Sequence, residues 1–415
     1  MYVSCMTLTH GFSRLIGRDP QEPHRTATPL ELLFDLTFVV AFSQAGAQAA
    51  HLLELGHTTP AVVGFAIAVF AVTWAWINHA WLASAFDSDD VFFRVATFVQ
   101  MIGVGVLAIG LPPFFHSLDE GHHVDNAVMI AGYVIMRVAL IGVWLRVAAH
   151  DPAHRRTART YAAGIALVQV GWVVAIVVNP PLWAGLALMV GLGALEMAVP
   201  AVAERRGGAT PWHPHHIAER YGLLVIITLG EVILGTVLAI SAVVELAGWT
   251  LEAALIAFGG MLLAFAIWWA YFTVPTARLL HVRRASSFWW GYLHIALFGA
   301  VAGVGAGLHV AAYVLSGTAK VDATYAQLTI TVPVLVFTIV LGVLYGILVG
   351  RSDRFHLWLL VGTVAVLAVA VLASAAGASL GTTIVITALA PLVVVVGYEL
   401  VGHRHLEDDL SRLAA

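Results

Sequence analysis

Charge is the scarcest thing in this sequence. Asp, Glu, Lys and Arg make up only 11% of its 415 residues, far below the roughly 25% of soluble domains. Lysine is almost absent: Lys320 stands alone against 19 arginines. The single cysteine, Cys5, excludes an intrachain disulfide and any CxxC metal or redox pair. No Walker A sequence, GxSxG elbow or dinucleotide-binding glycine fingerprint occurs in a workable context. Basic residues form no patch beyond the short loops, so nucleic acid is not an expected partner. Arg14, Arg18, Asp19 and Glu22 interrupt any apolar stretch near the amino terminus, so no secretory signal is expected there.

What the chain has in abundance is apolar length. Hydrophobic residues make up 60%, mean hydropathy is +0.90, and apolar runs of about 20 residues match a hydrocarbon core near 30 Å. The expected fold class is an all-α integral membrane protein of about twelve transmembrane helices. The expected spans are about 28–52, 61–84, 92–115, 126–148, 158–178, 182–203, 217–240, 251–274, 287–314, 325–350, 355–378 and 380–402. They divide into an amino-terminal tail (1–27), a six-helix half (28–203), a linker (204–216), a second half (217–402) and a carboxy-terminal tail (403–415).

Arginine placement orients the chain. Arg14, Arg18 and Arg25 precede the first span; Arg155, Arg205, Arg278, Arg283, Arg351 and Arg354 fall in every second loop; Arg404 and Arg412 follow the last. The opposite loops hold only Lys320. By the positive-inside rule both termini are cytoplasmic, in the plasma membrane. A weak internal repeat, offset by roughly 190–205 residues, pairs Glu31 with Glu219, Trp74-Ala-Trp76 with Trp268-Trp269, Gly103 and Gly105 with Gly303 and Gly305, and Glu196 with Glu399. Six spans per half predicts parallel halves; chance similarity among apolar helices is the plainer account.

The few buried charges are the candidates for chemistry. Glu31 and Asp35, four apart, share a helix face, with Asp35 about 10 Å from the membrane entry. Arg137 and Glu231 fall near the midplane, and Glu196 lies seven residues inside its span; Asn78, Glu219 and Arg220 crowd the inner third. An ionised group at a helix centre costs about 2.5–3.5 kcal/mol, so each calls for a partner or water. Arg137 is expected to pair with Glu231 or Asp35. The alternatives are a polar cavity that binds or conducts something, and charge pairs that only lock helices together. Glycine and threonine beside the charge in Thr228, Glu231 and Gly235 favour the cavity, though small residues also serve plain packing.

Two loops raise other chemistries. Asp87, Asp89, Asp90 and Arg94 form an acidic cytoplasmic cluster that could hold Mg²⁺ against a phosphate. The plainer role is to cap the third span, with Ser88 or Asp89 accepting from its first N–H groups. His213, His215, His216 and Glu219 suggest a metal, but no CxxC or HExxH completes it. Neither a metal nor a cofactor is expected.

The stretches Thr28-Pro-Leu-Glu-Leu-Leu-Phe-Asp-Leu-Thr-Phe-Val and His216-Ile-Ala-Glu-Arg-Tyr-Gly-Leu-Leu-Val-Ile-Ile-Thr-Leu-Gly-Glu231 resemble the bacterial low temperature requirement A (LtrA) family. Trp74-Ala-Trp76-Ile-Asn78, Phe86-Asp-Ser-Asp-Asp90 and Arg94 are similar to that family too. The resemblance covers most of residues 25–405. Position by position it singles out Glu31, Asp35, Asn78, Asp89, Asp90, Arg94, Arg137, Glu219, Arg220 and Glu231. It implies a multi-pass bacterial membrane protein linked by name to growth in the cold, and it leaves the activity open.

The sequence therefore points first to a secondary transporter or ion-translocating protein in the lipid bilayer, handling a small solute or protons. Glu31, Asp35, Asn78, Arg137, Glu196, Glu219, Arg220 and Glu231 would line its pathway. The alternatives are an intramembrane enzyme acting on a lipid or isoprenoid phosphate through Asp87, Asp89 and Asp90, and a non-catalytic protein whose charges are structural.

Overall fold

Apolar residues run around every face of the long helices, a pattern that suits burial in lipid rather than one wet side. The computed structural model describes residues 13–22, 25–350 and 354–402. Cys5, Arg351, Arg404, Arg412 and the tail 403–415 lie outside the described residues. The helices are α1 (Pro29–Glu54), α2 (Thr58–Phe86), α3 (Val91–Ile109), α4 (Leu111–Glu120), α5 (Ala127–His150), α6 (Arg155–Val178) and α7 (Leu182–Gly207). They continue with α8 (Pro214–Ala247), α9 (Leu251–Phe272), α10 (Thr276–Val282), α11 (Ser287–Leu315), α12 (Ala323–Val349), α13 (Arg354–Ala375) and α14 (Leu380–Gly397), which ends in a π-helical turn, Tyr398–Gly402. No β-strand forms among the described residues. Taken with their short continuations, these helices make twelve segments long and apolar enough to cross a membrane.

Local chemistry sets several boundaries. Asp90, Thr250, Asp322 and Ser379 are extended and accept from the N–H three residues on, starting α3, α9, α12 and α14. The third segment is two helices rather than one. Pro112 and Pro113 lack the N–H groups that would continue α3, and α4 carries the segment to Glu120. Gly110, at the junction, lies hard against the backbone of Met129 at the start of α5, where a side chain has no room.

Two compact units result, and the divide falls within α1 and α2. The first comprises the described residues of Met1–Phe38 and Ala75–His213; the second, those of Val39–Trp74 and Pro214–Ala415. In the first unit Leu82, Phe86, Phe93, Leu140, Trp144 and Tyr161 form a core, with the Trp144 and Tyr161 rings stacked at 4.1 Å. Leu15 is buried in the same core. The amino-terminal segment is pinned there by Gly17 N–H on Asp151 (2.8 Å) and Arg18 N–H on the Ala85 carbonyl (3.0 Å).

In the second unit α11 is the most enclosed helix, with 78% of its most apolar window buried. It packs backbone to backbone on α8: a Cβ on Gly305 would stand 2.6 Å from the Glu231 carbonyl oxygen, and one on Gly235 2.7 Å from the Gly305 carbonyl oxygen. Such contact needs glycine on both sides of the seam. Residues matched by the expected repeat have unlike surroundings. Glu196 is buried and Glu399 exposed; Trp74 and Trp76 are buried, whereas Trp268 and Trp269 reach the surface.

Candidate functional site

The charged residues sort into three arrangements. At the amino-terminal end of α1 in the first unit, Thr28 and Glu31 form a capping box. The Thr28 N–H and hydroxyl donate to Glu31 Oε2 at 2.9 and 3.1 Å, and the Glu31 N–H returns to Thr28 Oγ1 at 3.3 Å. Asp35 is fully buried one turn deeper and accepts from Trp76 Nε1 at 2.6 Å. The sequence Thr28-Pro-Leu-Glu31 carried the capping signature, with Pro29 at the first helical position. Asn78 is half-buried on α2 of this unit; in the second unit Arg220 is fully buried and Glu219 half-buried on α8.

Each loop aspartate beside this end has its own arginine. Arg25 donates to the carbonyls of Ala83 (2.7 Å) and Ser84, closing the end of α2, and lies 3.9 Å from Asp87. Asp89 and Arg94 meet through two hydrogen bonds of 2.9 Å at the surface. Asp90, not Ser88 or Asp89, caps α3; it also binds both Arg146 amines and the Ser13 N–H. Burial raises the Asp87 carboxyl to about 6, with the Glu31 charge adding to it. Burial also works to raise Asp90, but the hydrogen bonds from Arg146, Phe93 and Ser13 outweigh it and leave the carboxyl at about 2. Burial lowers the Arg25 guanidinium to about 10. Among the described residues no three His, Cys, Asp or Glu side chains converge as a metal ligand set. His213 is hydrogen-bonded to the Glu22 carbonyl at 2.8 Å.

The second arrangement corrects an expectation. Arg137 pairs with Glu196, at 3.0 Å, rather than with Glu231 or Asp35. The α5 face that carries Arg137 also carries Tyr133 one turn earlier, whose hydroxyl accepts from Arg137 and donates to Glu196. From α6, Gln169 Nε2 (2.8 Å) and Trp172 Nε1 (3.0 Å) donate to the other Glu196 oxygen. All five side chains are buried. Both Glu196 oxygens are hydrogen-bonded, as a buried carboxylate requires, while the buried Arg137 Nε and Gln169 Oε1 find no partner among the described residues. Tyr133, Gln169 and Trp172 were missed in the sequence. The i,i+4 spacing of Tyr133 and Arg137 was a readable signal, but the convergence of α6 was not.

The third is Glu231, sixteen residues from the end of the 34-residue α8 and 3% exposed. Its hydrogen-bonding neighbour is the Ser43 side chain of α1. Gly46, one turn on, leaves room beside the carboxylate: a Cβ there would meet Glu231 Oε2 at 3.7 Å. On α11, Gly305 lies against the Glu231 backbone, and His309, one turn further, abuts Gly235. The buried His309 Nε2 has no hydrogen-bond partner among the described residues. No Lys or Arg among the described residues is ion-paired with Glu231. Ser43, Gly46 and His309 carry no motif that marks them in the sequence.

Comparison with known proteins bears on the whole chain. The model of the family described as bacterial low temperature requirement A protein (LtrA) matches residues 26–391. The chain belongs to the LtrA family. The match runs through all three arrangements, from Arg25's neighbours past Glu231. An uncharacterized protein of Rhizobium meliloti (strain 1021), RA0937, is 28% identical over 211 residues, about half of each chain (49%). No solved structure matches the chain. Family and helices together make it a multi-pass helical membrane protein.

Proposed function

We propose that this LtrA-family protein translocates an ion, most simply a proton, alone or coupled to a small solute, with Glu231 as the carrying group. The observation that carries the reading is a buried carboxyl at the middle of a spanning helix, with a serine for partner and no ion-paired cation among the described residues. An ionised carboxylate at that depth costs about 2.5–3.5 kcal/mol without compensation, and intramembrane carboxyls of this kind mark ion pathways. The bound proton or cation would supply the missing charge. Gly46 leaves space beside the carboxyl, and His309 offers a second titratable group along the α8–α11 seam. Arginine placement supports cytoplasmic termini in a bacterial plasma membrane. The lipid-phosphate enzyme reading draws less support, because Asp87, Asp89 and Asp90 each face an arginine.

The test is proton flux into liposomes under an imposed pH gradient, comparing wild type, Glu231→Gln and Glu196→Gln. Flux in wild type that vanishes in folded Glu231→Gln supports the reading. Flux that persists undiminished in that variant overturns it. A link to growth in the cold, suggested by the family description, is tested separately by low-temperature growth of a deletion strain carrying either allele.

A further inference from the structure

A second feature, wholly within the second unit and independent of Glu231, is a cavity of ≈290 Å³ between α12, α13 and α14. Its walls are aliphatic along most of their length, with Ile339, Val343, Leu357, Leu360 and Val394 among them. Gly342 forms part of the α12 wall, and a Cβ built there meets nothing within 4 Å, so the space is open rather than filled by a neighbour. The bounding helices α13 and α14 are the least enclosed of the twelve segments, with 22% and 33% of their apolar windows buried. Helices so little enclosed turn much of their apolar surface toward the hydrocarbon of the bilayer.

The ends of the cavity differ. At one end Tyr345 and His356 stack, with ring centroids 4.3 Å apart. Arg354, exposed, immediately precedes the lining residues Phe355 and His356. Arg283 donates to the Val349 carbonyl at 3.2 Å, one helical turn beyond Tyr345, and covers the left-handed Gly350 that ends α12. This end is the mouth: Arg354 adjoins its lining in sequence and Arg283 binds one helical turn beyond Tyr345, while aliphatic side chains line the interior. By arginine placement this mouth is on the cytoplasmic side, whose leaflet carries anionic lipid.

We propose that this groove holds an anionic phospholipid of the cytoplasmic leaflet, its acyl chain between α12 and the α13–α14 pair and its phosphate at Arg283 and Arg354. The order of chemistry along the groove, apolar and then cationic, matches that of the lipid. A soluble anion would leave the aliphatic walls empty, and a zwitterionic lipid would gain little from the two arginines.

The test is native mass spectrometry of the full-length protein released from nanodiscs of equimolar phosphatidylglycerol and phosphatidylcholine. Wild type is expected to retain one phosphatidylglycerol. Gly342→Phe, which fills the groove, is expected to lose retained lipid of both kinds. Arg283→Gln with Arg354→Gln is expected to keep lipid but lose the preference, by about fivefold per arginine. Equal retention of both lipids by wild type overturns the proposal, as does undiminished retention in Gly342→Phe. A dimer mass that disappears in Gly342→Phe would assign the groove to a second copy and overturn it as well. Should Gly342→Phe fail to fold, by its melting profile, the arginine pair decides alone: an unchanged lipid preference sinks the assignment.

Discussion

Glu196 in the first unit and Glu231 in the second are both carboxylates buried in apolar helices, and their surroundings differ in kind. Glu196 faces a guanidinium and receives hydrogen bonds from three further side chains. Glu231 has a serine beside it, a glycine that leaves room, and helix backbone pressed against its own. The first arrangement neutralises a charge permanently, so it can hold helices but gains nothing from binding an ion. The second has no ion-paired cation among the described residues. Depth in the membrane does not distinguish these two carboxylates; their neighbours do.

Breaking the first arrangement is expected to have the largest effect on stability. Arg137→Leu leaves Glu196 without its cation and should destabilise the protein by about 3–5 kcal/mol, read as a large drop in the detergent melting temperature. Adding Glu196→Leu should restore much of that loss. A double variant as unstable as the single one would show that the pair does more than neutralise itself.

Asp90→Ala comes next, at about 2 kcal/mol, through loss of the α3 cap and of the Arg146 partner. Its pH dependence sharpens the assignment. The folded Asp90 carboxyl lies at about 2, below an unfolded value near 4. Its contribution is therefore complete above about pH 4 and fades as pH falls toward 2. Asp87 runs the other way: its folded value of about 6 adds stability at low pH that is lost as pH rises through 6. Melting of wild type from pH 4 to 2 should fall, and the Asp90→Ala profile should be flatter over that range.

Gly305→Ala probes the seam behind Glu231. Its Cβ would meet the Glu231 carbonyl at 2.6 Å, and overpacking of this kind costs about 1–3 kcal/mol. Gly105→Ala, which meets nothing within 4 Å, should be neutral or stabilising by about 0.5–1 kcal/mol. Similar melting shifts in the two would mean that the expected repeat partners share an environment after all. A small loss is also expected for Glu231→Gln, under about 1 kcal/mol, because no ion pair among the described residues is broken. A loss as large as that of Arg137→Leu would place Glu231 in the same structural class as Glu196.

Much of this was readable in advance, for identifiable reasons. Hydrocarbon thickness and helix rise make a run of twenty apolar residues a span whatever its neighbours do, so the twelve segments were legible. The family was legible from two local stretches, around Glu31 and Glu231. The break before α4 and the Thr28–Glu31 capping box were not read, although Pro112, Pro113 and the Thr28-to-Glu31 spacing carried them.

Partner choice was not legible. Arg137 has several carboxylates at a suitable depth in the sequence, and only the packing of α5, α6 and α7 brings Glu196 to it and Gln169 and Trp172 to Glu196. Ser43 and His309 are ordinary residues until α1 and α11 are laid beside α8. The sequence alone decided that the chain is a twelve-helix membrane protein with a few expensive charges, because hydropathy and helix geometry act locally. Only the tertiary structure decided which carboxylate meets an arginine and which meets a serine, because such contacts are made across helices and every candidate pair looks the same until they pack.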